Sequence, residues 1–223
     1  MAIRKVFYLD TRNEVQERDI NFTWYPGFAV SQKQKSIIDF HKNIIDIFRV
    51  SPSEILEISS KSTQAIGKAL SAFNLNIDFK GKRATVEVFF QSSKVFEYGG
   101  PYIDMLNGSS IMAKKDGRLK DSGDLVGFDL LGTKWPTEPK TLFYDWLYIN
   151  AVYYNKELHN RIINYNYFTD IEFNHKKSVN CQAKSASLYV SLYRKGLLDE
   201  VVRDEQKYRK LFKKDKFIQE SLL

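Results

Sequence analysis

The sequence predicts an α+β fold, predominantly helical with a small β-sheet, in a single domain over residues 1–223. Three observations carry this. With 223 residues, 43% of them apolar and 27% charged, the chain can bury a sufficient core and is too apolar to remain disordered. Short runs of β-branched or large apolar residues occur at 4–9 and 54–59, whereas the longer patterned stretches repeat at helical spacing. No internal repeat, low-complexity tract or Gly/Ser linker divides the chain, and its prolines are scattered at 26, 52, 101, 136 and 139.

Residues 4–9 and 54–59 are therefore expected as strands. Between them, 32–49 reads as a helix: Ile37, His41, Ile44 and Phe48 form one stripe with Ile38 and Ile45 beside it, and Ser51-Pro52-Ser53 stops it. From Ser71 to Phe79 the apolar spacing is uneven, which suits an extended segment, and Lys80-Gly81-Lys82-Arg83 supplies a basic turn. Thr85 is an N-cap candidate for a helix reaching about Phe96, with Gly99-Gly100-Pro101 as its terminator. Asn107 to Gly127 is expected mainly as loop, with a helical turn in Ile111–Lys115. A helix from about Pro139 to Tyr154 follows, with a wide apolar face around Phe143, Leu147 and Val152. The last 40 residues read as helical. In 195–223 eight Lys and Arg stand against six acids, a balance that suits a solvated helical face better than a nucleic-acid arm.

The net charge of +7 favours a polyanionic partner, either nucleic acid or a nucleotide-like ligand. A single cysteine, Cys181, excludes an internal disulfide and the paired thiolates of a structural zinc site, so a reducing, cytoplasmic setting is expected. An acid, Asp10, arrives before any run resembling a signal peptide, and no stretch approaches the roughly 20 apolar residues that cross a bilayer. His41, His159 and His175 share no metal-ligand spacing, and no GxGxxG or Walker loop occurs. A metal-independent protein without a cofactor is the expectation.

The chemistry concentrates near Thr85. Glu87, Gln91 and Lys94 stand at i, i+4 and i+7 and return to one helix face, so an acid, an amide and an amine share a surface. Such a set can move a proton, orient a sugar by hydrogen bonds and attack an anomeric carbon. The alternative is a solvated stripe, against which stand Phe89, Phe90, Val95 and Phe96, too apolar for a helix lying loosely on a surface.

These residues carry a resemblance. Leu70-Ser71-Ala72-Phe73-Asn74, then Phe79-Lys80-Gly81-Lys82, then Thr85-Val86-Glu87-Val88-Phe89-Phe90-Gln91-Ser92-Ser93-Lys94 resembles the signature of the NADAR family: L-S-N-F, an apolar-x-G turn and S/T-x-E-x3-Q-x2-K. Ala113 to Arg118 is similar to its A-x-x-x-G-R element. The likeness continues more loosely through Trp135, Phe143 to Ala151, Asp170 and Asn180 to Arg194, about two thirds of the chain. Here Ala72 replaces the motif's asparagine, Asn74 lies one position beyond Phe73, and Asn174 to Asn180 replaces the common W-G and N-x-L-G pattern.

The resemblance implies an N-glycosidase acting on nucleotide-type ribosides. Trp24 to Phe28, Ser31 to Ser36, Ser59 to Ser62 and Phe168 to Phe173 look most like the branch that removes ADP-ribose from guanine in DNA, as antitoxin to DarT-like ADP-ribosyltransferase toxins. On this reading 1–62 is a branch-specific N-terminal portion and 63–223 the catalytic portion. ADP-ribosylated DNA and ADP-ribose are the implied ligands, and a DarT-like toxin the functional counterpart. The alternatives are hydrolysis of free ribosides, as in the riboflavin-linked branch, and a noncatalytic module binding DNA or ADP-ribose.

By the same resemblance Lys94 captures the opened sugar as a Schiff base while Glu87 moves protons; the competing reading keeps Lys94 charged beside Glu87. A nucleophilic Lys94 needs its pKa lowered by burial or by a cation such as Arg118. Substrate contacts are expected from Gln91, Ser71, Phe73 and Asn74, and from Gly117 and Arg118 at a pyrophosphate with Lys114 or Lys115 as second cation. Trp135 stacks on a base or belongs to the core, and Asp170, Glu172 and Asn180 hold ribose hydroxyls, unless Asp170 is an ordinary cap. Lys80, Lys82 and Arg83 form a candidate DNA surface.

Overall fold

The structure, a computed structural model, describes residues 1–174 and 178–220, the last eight through their backbone alone. It begins with β1 (Ala2–Leu9), β2 (Val15–Phe22), α1 (Val30–Phe48), β3 (Ile55–Glu57) and α2 (Ala65–Ala69). The middle comprises β4 (Asn76–Phe79), β5 (Lys82–Thr85), α3 (Val86–Ser92), β6 (Lys94–Phe96), α4 (Ser110–Lys115), α5 (Arg118–Asp121), β7 (Leu125–Leu130) and β8 (Thr133–Trp135). The remainder is α6 (Leu142–Tyr154), α7 (Lys156–Ile162), β9 (Tyr167–Thr169), α8 (Gln182–Arg194), α9 (Leu198–Arg203) and α10 (Glu205–Glu220). The class is α+β, mostly helical, as expected, but the strands form several small sheets rather than one.

The largest sheet has the order β2-β1-β9-β3. Strand β1 runs antiparallel to both β2 and β9, and β9 parallel to β3, with Phe7 opposite Phe168 and Leu56 also opposite Phe168. Alternation along β1 sends Val6 to a core shared with Ile37, Phe40 and Ile44 of α1, and Phe7 to the main core with Tyr189 and Val190 of α8. The buried stripe of α1 is thus turned from the expected one: Phe40 enters the core, His41 is half-buried, and Ile38 is 62% exposed. The larger aromatic ring takes the core position.

Helix α6 is buried from Leu142 to Val152. A helix apolar all round belongs in the interior, and α6 is the axis of the main core. The hairpin β4-β5 turns at Lys80 and Gly81, whose φ values of 47° and 73° suit a tight two-residue turn. This places β5 directly before α3.

The helix expected to reach Phe96 ends at Ser92. There the Ser92 hydroxyl donates to the Phe89 carbonyl (3.2 Å), competing with the helical pattern, and Lys94–Phe96 leaves as β6 to pair with β7. Gly99-Gly100 accordingly serves β6 rather than stopping a helix. Gly100 has φ 82°, and a Cβ there would lie 2.2 Å from the Lys94 carbonyl oxygen, so only glycine allows that approach.

Candidate active site

Thr85 fixes the start of α3. Its Oγ1 accepts from Val88 N (3.3 Å) and hydrogen-bonds Ser110 Oγ (2.7 Å). Because Ser110 Oγ donates onward to Phe73 O (2.9 Å), the Thr85 hydroxyl is the donor in that pair. One capping residue thereby ties α3, α4 and the Ser71–Asn74 turn together, which is why three separated motifs meet. Glu87 N also donates to Ala72 O (3.0 Å), seating the first turn of α3 on that segment.

Glu87 is 5% exposed and Gln91 7%. Gln91 Nε2 donates to Glu87 Oε1 (2.9 Å), as the i, i+4 spacing predicts, and Lys114 Nζ lies 3.7 Å from the same oxygen. Both residues face a cavity of about 350 Å³ that is also lined by Phe73, Phe90, Lys114, Tyr144, Asp170 and Asn180. Among the described residues, Gln91 Oε1 and Asn180 Oδ1 are buried without a hydrogen-bond partner. Unpaired buried acceptors are costly, so two acceptors on one small cavity favour a donor-bearing ligand such as a sugar.

Lys94 occupies the first position of β6 rather than the α3 face. Its half-buried amine lies 5.0 Å from the centre of the Phe90 ring, and Phe90 rather than Lys94 lines the cavity. Burial pushes the amine below the ordinary lysine range; Glu87 opposes the shift and Lys114 adds to it. The contributing cation is Lys114, not Arg118.

A larger cavity, about 910 Å³, adjoins the first through shared Phe73, Lys114, Glu172 and Gln182, and takes in Ser71 and Asn74. Asn74 Nδ2 is held by Lys68 O at 2.8 Å. Asp170, on the smaller cavity, accepts from the backbone of Glu172 (3.0 Å) and Phe173 (3.2 Å) through Oδ1, an Asx-type turn that shapes the wall. Burial, with Glu57 adding, pushes its carboxyl above the usual carboxylate range. Beneath this wall Glu57 accepts from Thr169 Oγ1 (2.6 Å) and Ile171 N (2.9 Å), and His41 Nε2 sits 2.8 Å from Thr169 Oγ1. With the threonine proton committed to Glu57, His41 is the donor; burial lowers its pKa to about 4, so it is neutral with the proton on Nε2.

Three expected contacts stand apart. Arg118 is bound by Asp104 (2.7 Å) and Asp116 (2.8 Å), and neither it nor Gly117 lines either cavity. Trp135 is 3% exposed, packed on Phe143, Trp146 and Tyr208 with the Arg209 guanidinium 3.9 Å from its ring centre, so it is a core residue. His175 lies outside the described residues. Sequence reasoning passed over Tyr144 and Gln182. Gln182 takes Ala72 N (2.8 Å) and gives to Ile58 O (2.8 Å), and its sequence signal is its place in the looser likeness from Asn180 to Arg194.

Among the described residues no group of three or more His, Cys, Asp or Glu side chains is gathered in a metal-holding arrangement, and no helix is long and apolar enough to cross a membrane. No curated protein matches the chain. A family model described as DarT1-associated NADAR antitoxin matches residues 2–221, a span that includes every residue of both cavities. By that match the chain belongs to the DarT1-associated NADAR antitoxin family.

Proposed function

We propose that this protein hydrolyses the N-glycosidic bond between ADP-ribose and guanine in DNA, and in that way relieves the action of a DarT-like DNA ADP-ribosyltransferase. The observation that carries the reading is the buried Glu87–Gln91 pair, flanked by two lysines and facing a cavity that also holds an unpartnered Asn180 oxygen. A carboxylate held by an amide beside a desolvated amine suits a reaction in which an anomeric carbon gains positive character and a base departs with a proton.

In the covalent route the neutral Lys94 amine adds to the anomeric carbon as the C–N bond breaks, and the guanine nitrogen keeps the bonding electron pair. Of the amine's two protons, one reaches the guanine nitrogen by way of Glu87 and the other goes to the ring oxygen as the sugar opens. The resulting imine is hydrolysed by water, which regenerates the amine and releases ADP-ribose. Gln91 and Asn180 orient the ribose, Lys114 meets its negatively charged neighbour, and Asp170 and Phe73 shape the wall. A second route has specific support, because Lys94 touches Phe90 without lining the cavity: Glu87 takes a proton from water as the water oxygen bonds to the anomeric carbon, the C–N bond breaks with its electron pair staying on guanine, and Glu87 passes the proton to that departing nitrogen while Lys94 supplies field only.

Incubation with a guanine-ADP-ribosylated oligonucleotide is the test. Release of free ADP-ribose with recovery of unmodified DNA, undiminished by EDTA, is expected. Cleavage of free ribosides alone would transfer the protein to a small-molecule substrate, and tight retention of modified DNA without cleavage would make it a binding module.

A further inference from the structure

The larger cavity has four cations against one acid among its described lining residues: Lys61, Arg83, Lys114 and Lys115 against Glu172. Lys114 lies 3.7 Å from Glu87 and also lines the smaller cavity, whereas Lys61, Arg83 and Lys115 line the larger cavity alone. Arg83 has a contact with Asp78 at 3.6 Å, but both side chains are about 70% exposed, so the pair is weak and open to exchange for a phosphate. Glu172 is balanced by Lys33 at 3.9 Å. Of the turn cations expected at a DNA surface, Lys80 is occupied by Leu131 O (2.8 Å) and Thr133 Oγ1 (3.3 Å), and Lys82 alternates to the other side of β5 from Arg83.

Helix α4 presents Ile111 on the wall of this cavity and Met112 next to it in the chain, 58% and 68% exposed, while Ser110 and Ala113 of the same helix are buried. Two adjacent large apolar side chains left in water, one of them on the wall of a cavity with four cations, complement a strand with an anionic backbone and apolar base faces. Glu87 is buried on the adjoining smaller cavity, so a base-linked ribose reaches it only if its nucleotide has left the stack, and that exposes the face of the neighbouring base.

We infer that Lys61, Arg83 and Lys115, together with Ile111 and Met112 of α4, bind an unpaired DNA strand: the cations take backbone phosphates beside the modified nucleotide, and the apolar pair packs on the adjacent base. The inference rests on the proposed reaction for its biological sense, but the surface can be tested without it.

The probe is a dye-labelled, unmodified single-stranded oligonucleotide, followed by fluorescence anisotropy over a salt series with the full chain. Changing Lys61, Arg83 and Lys115 together to Gln should raise Kd by about tenfold or more and reduce the log Kd against log salt slope by about 2, at roughly 0.7 per phosphate contact. Changing Ile111 and Met112 to Ser should weaken binding by roughly tenfold with the slope unaltered. In a second readout, kcat/KM for an ADP-ribosylated oligonucleotide should fall in the Ile111/Met112 variant and in a Lys61/Arg83 double variant, while that for ADP-ribosylated guanosine stays level. An unchanged Kd and slope in the triple variant, tighter binding of the matching duplex, or equal losses on both substrates would overturn the assignment. If the wild-type protein cleaves neither substrate, the reaction fails while the anisotropy series still decides the surface.

Discussion

Replacing Glu87 by Gln separates chemistry from architecture at the centre of the cleft. The amide can still accept the 2.9 Å hydrogen bond from Gln91 Nε2, so the local geometry is retained. Two favourable terms disappear. One is the charge in the first turn of α3, worth about 0.3–1 kcal/mol at a helix N-terminus. The other is the 3.7 Å contact with Lys114, whose side chain is 56% exposed, so screening holds it to about 1 kcal/mol or less. Against them stands relief from keeping a charge in a 5% exposed site. The net stability change should therefore stay within about 1 kcal/mol, or about 2–4 °C in Tm for a chain of this size. Loss of a positioned acid-base group should lower turnover roughly 100-fold, about 2.7 kcal/mol in the barrier. The assay is ADP-ribose release from modified oligonucleotide under saturating conditions, alongside a thermal melt of the same preparation. Turnover within about fivefold of wild type would refute the role of Glu87, and a collapse of Tm together with activity would reassign the residue to structure.

Lys94→Arg keeps the charge but removes the attacking amine: the covalent route expects near-complete loss and a borohydride-trapped adduct on Lys94 in the wild type, whereas substantial turnover without any adduct selects direct attack by water. On the covalent route the rate should rise with pH as Lys94, its pKa lowered chiefly by burial, loses its proton. Lys114→Met removes a charge that pushes that pKa down, so the rising limb of the pH–rate profile should move to higher pH; a limb that stays in place would exclude Lys94 as its source. Thr85→Ala removes the cap on Val88 N and the donor to Ser110, and should cost about 1–2 kcal/mol, read as a Tm lower by roughly 2–8 °C, with Thr85→Ser recovering most of it.

The parts of this molecule legible in its sequence are those governed by neighbours in the chain. Thr85 as a cap, the Glu87–Gln91 pair, the turn at Lys80-Gly81 and the buried α6 all follow from local periodicity or turn chemistry. Strand β2 was missed because its outer positions are charged, as suits a strand at a sheet edge, and β7 because Gly127 and Asp129 interrupt its apolar run. The overlong helix at 85–96 has the same origin: Val95 and Phe96 are compatible with either state, and only a partner about thirty residues later decides for strand. At the site, the resemblance nominated the residues while long-range packing decided which of them meet. Arg118 is captured by its chain neighbour Asp116 together with Asp104 fourteen positions earlier, and Trp135 by aromatic rings distant in the chain, combinations that spacing alone does not reveal.

The pairing of β9 between β1 and β3 sets when a newly made chain can begin to work. The first strand has to wait for Tyr167–Thr169 to be synthesised before the sheet is complete, and the wall carrying Asp170 and Asn180 follows only after that. Further ties between the two ends come later still, from Ser191 to Asn13 and from Lys195 to Glu14. At about 5–20 residues per second, translation of 223 residues takes roughly 10–45 s. The chain belongs to an antitoxin family, so during that interval a newly begun copy protects nothing, and protection depends on molecules already folded.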